Sequence, residues 1–400
     1  MKLTDLCAVS AAADVPAIRV LRAALDVHHP GTRLTVAALP GARALLDAVA
    51  GVDVVGLTEL AGAVHGAPAL LPPPAARALV GPLLLERRLH EGAPCALLVT
   101  PDCDVRAPLV AVEDALDRGD VVVLARLDGR LPDDGERPEA HDLLAAGEVD
   151  DEVVAVRAGE PAGRCLRWWL DETGRAVGAA AGGAGDGRVL PSVLRVAERA
   201  LPGVVVLTDA GYGVSAWNLH ERALDEDAGG VPRAAGRPIA LVRFAGFRPD
   251  RPWWLSEDAS RTPVLGDPVL ARLCRERAGA LLAAGWSPAS RGGAGGGALG
   301  SLLRDERVRR LVREAGTDFG DLGEPDGEAA LLAWLAAPAV AGNRLGINRY
   351  VHDLWRVRED LQRAFPDLDG ADGDGFVGWL WAYGVGEAGL DPRLLPPAPG

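Results

Sequence analysis

Two aspartates separated by a single residue follow an apolar run in the stretch "LLVTPDCDVRAPL", residues 97–109. Carboxylates with this spacing in a loop can converge on one hard cation, such as Mn²⁺ or Mg²⁺. A cation held in this way can also bind the oxygens of a diphosphate and neutralise the charge of a leaving group. The spacing therefore indicates that Asp102 and Asp104 hold a metal ion against a nucleotide diphosphate. The alternative is an ordinary loop at a strand end, as expected for "DLDGADGDG" at 367–375.

Charge and cysteine usage narrow the classes of partner and compartment. Acidic side chains outnumber basic ones by 56 to 42, for a formal net charge of −14. Such a field repels nucleic acids and anionic membranes, so we expect neither as a partner. The five cysteines are dispersed without a C-x-x-C pair, which fits a reducing cytoplasm.

Asp5 interrupts the apolar N-terminus, which indicates a strand and not a signal peptide. The sequence has no apolar run of 18 residues, so no transmembrane segment is expected.

Short apolar runs alternate with helical patterns through the first half of the chain. Strands are predicted near residues 3–11, 33–40, 52–57, 95–100, 121–127, 153–159, 204–209 and 238–246. Helices are predicted near residues 15–28, 42–51, 74–90 and 109–119. This alternation predicts βαβ units and an α/β fold with a mainly parallel, Rossmann-like sheet. Ligands of such sheets bind beyond the carboxyl ends of the strands, where Asp102 and Asp104 fall.

Two Gly-rich stretches mark the predicted organisation of the chain. The first, residues 176–187, is typical of a surface loop, and a second, near residues 287–300, is typical of a linker. We therefore expect an α/β domain over residues 1–287, a linker over 288–300 and a helical region over 301–400. The apolar faces of the predicted C-terminal helices would suit a docked lid, a homodimer or a partner protein.

Several stretches between residues 3 and 285 occur in the order found in one enzyme family. They are "LCAVSAAADVPAIRVLRAALDVHHPGTRLTV", "LLVTPDCDVRAPL", "RLPDDGERPEAHDLLAAGEVDDEVVAV", "RWWLDE", "GYGVSAWNLHER" and "LVRFAGFRPDRPWWLS". Together they resemble the GT-A-type, glycogenin-like glycosyltransferases of actinobacteria, with the D-x-D and "SAWNLHER" as the most specific parts. The resemblance implies a nucleotide-sugar donor, an unidentified acceptor, and Asp102 and Asp104 at the metal position. A role in cell-surface polysaccharide or natural-product glycosylation is the expectation.

Several positions depart from the pattern of that family. Arg243, in "RFAG", stands where the family has a histidine that completes the metal site. Asp150 and Ala13 each stand where the family has an asparagine. A "KPW"-like segment corresponds to residues 81–83, and an Asp-Gln pair followed by Trp corresponds loosely to residues 191–194. Ligand-facing positions have therefore changed while the motifs of the scaffold persist.

Arg243 and Arg251 are the candidate cations of the altered site. A guanidinium close to Asp102 and Asp104 would pair with their carboxylates and repel a divalent ion. Arg243 would then either clamp the diphosphate in place of the metal or form a plain structural salt bridge. The setting of Arg251 loosely resembles that of a diphosphate-binding lysine in glycogenin-type proteins. The alternative for Arg251 is a surface arginine that stacks on a neighbouring tryptophan.

The stretch "SAWNLHER" supplies candidates for the sugar or acceptor side of the site. Trp217 can pack on a sugar face, Asn218 can hydrogen-bond hydroxyl groups, and His220 can move protons near neutral pH. The alternative is that Trp217 belongs to the core and that His220 is a satisfied structural histidine. Asp209, at a predicted strand end, is a further candidate for contact with substrate.

A catalytic base is the least determined part of the predicted site. Inverting transfer needs a carboxylate near the acceptor hydroxyl, and Asp150, Asp151 and Asp209 all lie at predicted strand ends. The spacing singles out none of them. The leading hypothesis is a cytoplasmic glycosyltransferase. Its alternatives are a non-catalytic relative that binds a nucleotide sugar or a partner glycosyltransferase and, less favoured, a hydrolase of the donor.

Overall fold

The computed structural model describes residues 1–60, 71, 73–182, 194, 202–261, 264–288, 302, 305–315, 319, 322, 325–339 and 344–398. Residues 289–300 of the predicted linker lie outside this part of the chain, so the domain boundary there stays a prediction. Residues 191–193, matched above to the Asp-Gln pair, also lie outside it.

In the described part of the chain, thirteen strands, most of them short, form three sheets. In chain order they are β1 (Asp5–Ser10), β2 (Arg33–Ala38), β3 (Val52–Val55), β4 (Cys95–Leu98), β5 (Cys103–Val105), β6 (Val121–Ala125), β7 (Val149–Arg157), β8 (Val204–Leu207), β9 (Tyr212–Val214), β10 (Leu224–Glu226), β11 (Pro232–Ala234), β12 (Arg237–Pro238) and β13 (Leu241–Arg243). The largest sheet has seven strands in the order β3-β2-β1-β4-β7-β6-β8. Strand β7 is antiparallel to both of its neighbours, and the other pairs are parallel. The predicted α/β class with a mainly parallel sheet is confirmed.

Seven helices accompany the strands in the first 283 residues of the described chain. They are α1 (Val15–His28), α2 (Arg43–Asp47), α3 (Pro73–His90), α4 (Val110–Leu116), α5 (Ala140–Ala146), α6 (Glu160–Gly182) and α7 (Pro268–Ala283). The surface loop predicted from residue 176 is wrong as far as Gly182, because α6 continues to that residue. The alanines of this stretch favour the helix and outweigh its glycines. Residues 183–187 lie outside the described chain.

The seven-stranded sheet is buried on both faces. Side chains alternate along β1, so that Leu6 and Ala8 pack with α1 while Cys7 and Val9 pack with α3. The result is a three-layer αβα arrangement in which both faces of the sheet are covered, as parallel sheets require. The carboxyl ends of β1 and β4 lie side by side, because these two strands are parallel neighbours.

A small second sheet brings distant parts of the chain to the end of β4. It has the order β5-β13-β9, with β5 and β13 antiparallel. Its register places Arg243 opposite Cys103, and the Phe244 amide donates to the Asp102 carbonyl over 3.1 Å. Asp102 therefore lies in a turn, whereas Asp104 lies within β5 and not in a loop. The strand pairing, and not proximity in sequence, puts Arg243 beside Asp102.

The C-terminal part is helical, as predicted. Its helices are α8 (Glu306–Ala315), α9 (Pro325–Ala336), α10 (Arg349–Val357), α11 (Glu359–Ala364), α12 (Gly373–Trp379) and α13 (Val385–Ala388). They enclose a separate apolar core that includes Leu331, Val351 and Phe376, and Leu57 of the α/β part packs against it. Within the described residues, we find no helix with both the length and the apolar character needed to cross a bilayer.

Candidate active site

A cavity of about 220 Å³ lies beyond the carboxyl ends of β1 and β4. We call it the Asp102 pocket. Its charged lining residues are Asp14, Arg77, Asp102, Glu152 and Arg277. Apolar side chains complete the walls, and among them are Ala13, Phe244, Phe247, Leu281 and Trp286. Its position matches the place where sheets of this topology bind ligands.

Arg243 lies behind the pocket wall, enclosed by carboxylates. Its side chain is only 4% exposed, and its guanidinium donates to Asp150 and to Glu152. The Nη2 atom also lies 3.4 Å from the Asp102 carboxylate. Burial alone would lower the pKa of Arg243, but these carboxylates hold that pKa well above its ordinary value. Arg243 therefore stays charged, and one guanidinium balances three acidic groups only in part.

Asp150 depends on Arg243 for its charge. Burial raises the pKa of this carboxyl, but the guanidinium groups of Arg243 and Arg126 outweigh that effect and hold the pKa below its ordinary value. A buried carboxylate without such a partner would take up a proton instead. The two side chains therefore form a tightly coupled buried ion pair, shared with the more exposed Glu152.

The second aspartate of the motif contacts different arginines. The Asp104 carboxylate accepts from Arg106 over 2.9 Å and lies 3.7 Å from Nη1 of Arg277. Asp102 and Asp104 thus approach separate guanidinium groups and not a common point. In the described part of the chain, no three His, Cys, Asp or Glu side chains are grouped to hold a metal ion. The residues present do not fit the Mn²⁺ or Mg²⁺ that the D-x-D spacing predicts, because arginines occupy the positions beside both carboxylates.

Arg277 lines the pocket and was missed by the sequence reasoning. It is 2% exposed, and its Nη2 donates to the Pro101 carbonyl over 3.0 Å. Its Nε and Nη1 atoms are buried without a hydrogen bond in the described structure. Burial lowers the pKa of this guanidinium despite the nearby Asp104. A signal was available in the sequence, because Arg277 falls on the apolar stripe of α7 with Leu270, Leu273 and Leu281.

Arg77 is a second pocket arginine that the sequence reasoning missed. It extends from α3 and pairs with Asp14, whose carboxylate also accepts from the Ala11 amide over 2.8 Å. Its Nε has no hydrogen-bond partner in the described structure, and about a fifth of the side chain is exposed. A ligand in the pocket can reach Arg77 more readily than Arg243, because Arg77 lines the pocket and the more deeply buried Arg243 does not.

The candidates from "SAWNLHER" lie away from the Asp102 pocket. Trp217 packs against the guanidinium of Arg126, 5.0 Å from the ring centre. Asn218 is fully buried, where its side chain accepts from the Ser215 amide and donates to the Arg126 and Gly213 carbonyls. Nε2 of His220 lies 3.1 Å from the Arg130 carbonyl. The contacts of Asn218 are those of a structural residue, whereas Trp217 is only half-buried and Nδ1 of His220 is buried without a hydrogen bond in the described structure. The predicted roles of the three residues toward substrate remain predictions.

The three aspartates considered as bases are each ion-paired. Asp150 is held by Arg243, and Asp151 lies 3.8 Å from Arg126. Asp209 pairs with Arg237 over 2.7 Å and accepts from the Gly211 amide over 2.9 Å. For Asp150, whose pKa is held below its ordinary value, the pairing favours the charged form and weakens the carboxylate as a base.

Arg251 is exposed, and Pro249 of the same loop lines the Asp102 pocket in its place. The adjacent Trp253 and Trp254 are also about half exposed. The predicted role of Arg251 as a diphosphate clamp therefore needs movement of this loop toward the pocket, and it remains a prediction.

Replacing Asn218 with alanine is expected to lower the free energy of unfolding by about 1–3 kcal/mol, because three buried backbone groups lose their partner. Urea unfolding measures this effect. If Asn218 is structural, nucleotide-sugar affinity in calorimetry stays unchanged. A large loss of affinity with unaltered stability would instead support the predicted contact with substrate.

Comparison with known proteins gives only distant likenesses. No protein-family model matches the sequence, and no curated protein matches it. Among solved structures, the galactosyltransferase LgtC is 14% identical, with a TM-score of 0.41 over 72% of this chain and 99% of that chain. The glycosyltransferase GlyE of Streptococcus pneumoniae is 12% identical, with a TM-score of 0.36 over 72% of this chain and 64% of that chain. A mannose-1-phosphate geranyltransferase from Thermus thermophilus is 17% identical, with a TM-score of 0.29 over 52% of this chain and 75% of that chain. Likenesses this distant do not decide the function, which has to be inferred from the site.

Proposed function

We propose that this chain is a GT-A-type glycosyltransferase that binds a nucleotide sugar in the Asp102 pocket without a divalent cation. The observation that carries the proposal is the position of Arg243, a permanently charged group beside Asp102 at the carboxyl end of a mainly parallel sheet. Ligands of such sheets bind at this edge. The competing form of the proposal keeps Mn²⁺ or Mg²⁺ on Asp102 and Asp104.

The arginines around the pocket can supply the positive charge that a diphosphate needs in order to bind without a metal ion. A departing nucleotide diphosphate gains negative charge, which guanidinium groups can neutralise through paired hydrogen bonds. Arg77 is the most accessible donor, and a phosphate oxygen can replace Asp14 as its partner. Arg277 adds a buried positive charge to the pocket wall, and Arg243 compensates the acidic wall formed by Asp102 and Glu152.

The test is ligand stabilisation against a panel of UDP, GDP, ADP, dTDP and their sugars, each with Mn²⁺ or with EDTA. At a ligand concentration about one hundred times Kd, binding stabilises the folded protein by about 2.7 kcal/mol. We expect one nucleotide series to raise the melting temperature equally in both conditions. Stabilisation that requires Mn²⁺ would restore Asp102 and Asp104 as metal ligands. No stabilisation by any of these nucleotides would contradict the proposal in both forms.

A second candidate function is binding without turnover, and the ion pairs of the acidic residues favour it. Asp150, Asp151 and Asp209 all contact arginines, so none is a free base for an acceptor hydroxyl. Such a protein would hold a nucleotide sugar or a partner glycosyltransferase. Donor turnover separates the two functions: release of free nucleotide in an acceptor screen supports the enzyme, and tight binding with no release supports the second candidate.

A further inference from the structure

A second cavity, of about 340 Å³, is lined by a later part of the chain segment that also lines the Asp102 pocket. We call it the Trp groove and define it by Arg137, Trp253, Trp254, Glu257, Asp258 and Ser260. The side chains of Trp253 and Trp254 are 50% and 54% exposed. Exposed aromatic surface is unfavourable in water, and here two adjacent indoles expose about half of theirs within a concave site. Such an exposed apolar patch is typical of a binding site.

One loop joins the Trp groove to the Asp102 pocket. Gly246 lines the pocket, and its carbonyl accepts from the Glu257 amide over 3.0 Å. This bond closes the loop. Its first part lines the pocket through Gly246, Phe247 and Pro249, and its second part lines the groove through Trp253, Trp254, Leu255 and Glu257. Gly246 adopts φ +72°, and a Cβ at this position would lie 2.6 Å from the Ser256 hydroxyl. The close approach of the two loop ends therefore requires glycine, and it keeps the two cavities adjacent.

The polar groups of the groove fit a hydroxyl-rich, uncharged ligand. Asp258 is exposed and lines the groove, so its carboxylate can accept a hydrogen bond from a ligand hydroxyl. Glu257 is already paired with Arg248 over 3.0 Å, and the Arg137 guanidinium is paired with Asp142 over 2.9 Å. Aromatic faces beside free polar acceptors suit a ring that is apolar on one face and polar at its edge.

We propose that the Trp groove binds a neutral sugar ring, with the indoles of Trp253 and Trp254 against its apolar face and Asp258 accepting from a hydroxyl. That the groove binds a neutral sugar does not depend on the proposed function. That this sugar is the acceptor does rest on the proposed function, in which the same loop also lines the donor pocket.

The experiment is binding of methyl glycosides and β-linked or α-linked disaccharides of glucose, galactose and mannose to the full chain. Saturation-transfer NMR and calorimetry are performed in EDTA and without nucleotide, so that donor binding plays no part. Trp253→Ala and Trp254→Ala are each expected to weaken binding by about tenfold or more, as loss of a central aromatic contact does. Asp258→Asn is expected to weaken binding less, because the amide keeps an acceptor. Trp381→Ala is the matched control, since Trp381 is 43% exposed and lies in the helical region.

The outcomes separate this inference from the proposed function. Glycoside binding that is lost in the two groove variants and kept in Trp381→Ala supports the groove, even if no nucleotide binds. No saturation transfer to any glycoside overturns it, as does binding that both groove variants retain. A dimer in sedimentation that Trp254→Ala dissociates would also overturn it and assign the groove to a second copy. Circular dichroism and melting temperatures verify that each variant is folded.

Discussion

Replacing Arg243 with methionine is expected to lower the free energy of unfolding at pH 7 by about 3–5 kcal/mol. The variant leaves Asp150 buried without its principal cation, and it leaves Glu152 and Asp102 beside that charge. Urea unfolding at pH 7 measures the loss. A suitable control is Arg33→Met, because Arg33 forms a surface pair with Asp53 in which both side chains are more than half exposed. The control is expected to lose about 1 kcal/mol or less.

The unmodified protein and Arg243→Met should also differ in how their free energy of unfolding depends on pH. The pKa of Asp150 in the folded protein is held below its ordinary value of 3.8, so its contribution to stability is present above that value and is lost as the pH falls through the folded-state pKa. In Arg243→Met, burial without this cation raises the pKa of Asp150. Protonation then removes the free-energy cost of a buried carboxylate that has lost its principal partner. The stability difference between the two proteins therefore narrows from pH 7 toward pH 4. A difference that stays constant over this range would show that Asp150 is not the coupled partner.

Replacing Arg77 with alanine is expected to weaken nucleotide-sugar binding in EDTA by about 30-fold or more. The reason is that the desolvated diphosphate loses one charged hydrogen-bond partner. Arg77 lines the pocket with about a fifth of its side chain exposed, which makes it more accessible to a ligand than the buried Arg277. Calorimetry with the nucleotide sugar identified in the panel measures the change. The prediction follows from metal-free binding, since a bridging cation would carry much of the diphosphate charge and reduce the dependence on Arg77.

Arg87→Ala is the matched control for Arg77→Ala. It lies on the same helix, α3, but pairs with Glu91 and Glu59 away from the pocket. Its removal should leave affinity unchanged. Equal losses in both variants would point to a general effect on α3 or on the net charge, and they would remove Arg77 from the binding site.

The local pattern of the sequence was sufficient for the α/β part of the fold. Period-2 and period-3.6 apolar patterns depend on near neighbours, and they predicted α1 at its observed bounds and the central strands to within a few residues. The alternation of the two patterns then predicted the mainly parallel sheet. Element ends were less accurate: α6 continues into the Gly-rich stretch, and β7 begins at Val149, before the predicted start at residue 153.

The site could be predicted only in part, because its contacts depend on strand register and side-chain burial. The sequence itself determined that two aspartates follow β4, and it singled out Arg243 as a candidate cation of the site. Only the tertiary structure decided that Arg243 contacts Asp150 and Glu152, that Asp104 faces Arg106, and that Arg77 and Arg277 line the pocket. The physical reason is that antiparallel pairing of β5 with β13 joins residues far apart in the chain. No local pattern in one sequence specifies which distant strands pair or which charged side chains they enclose.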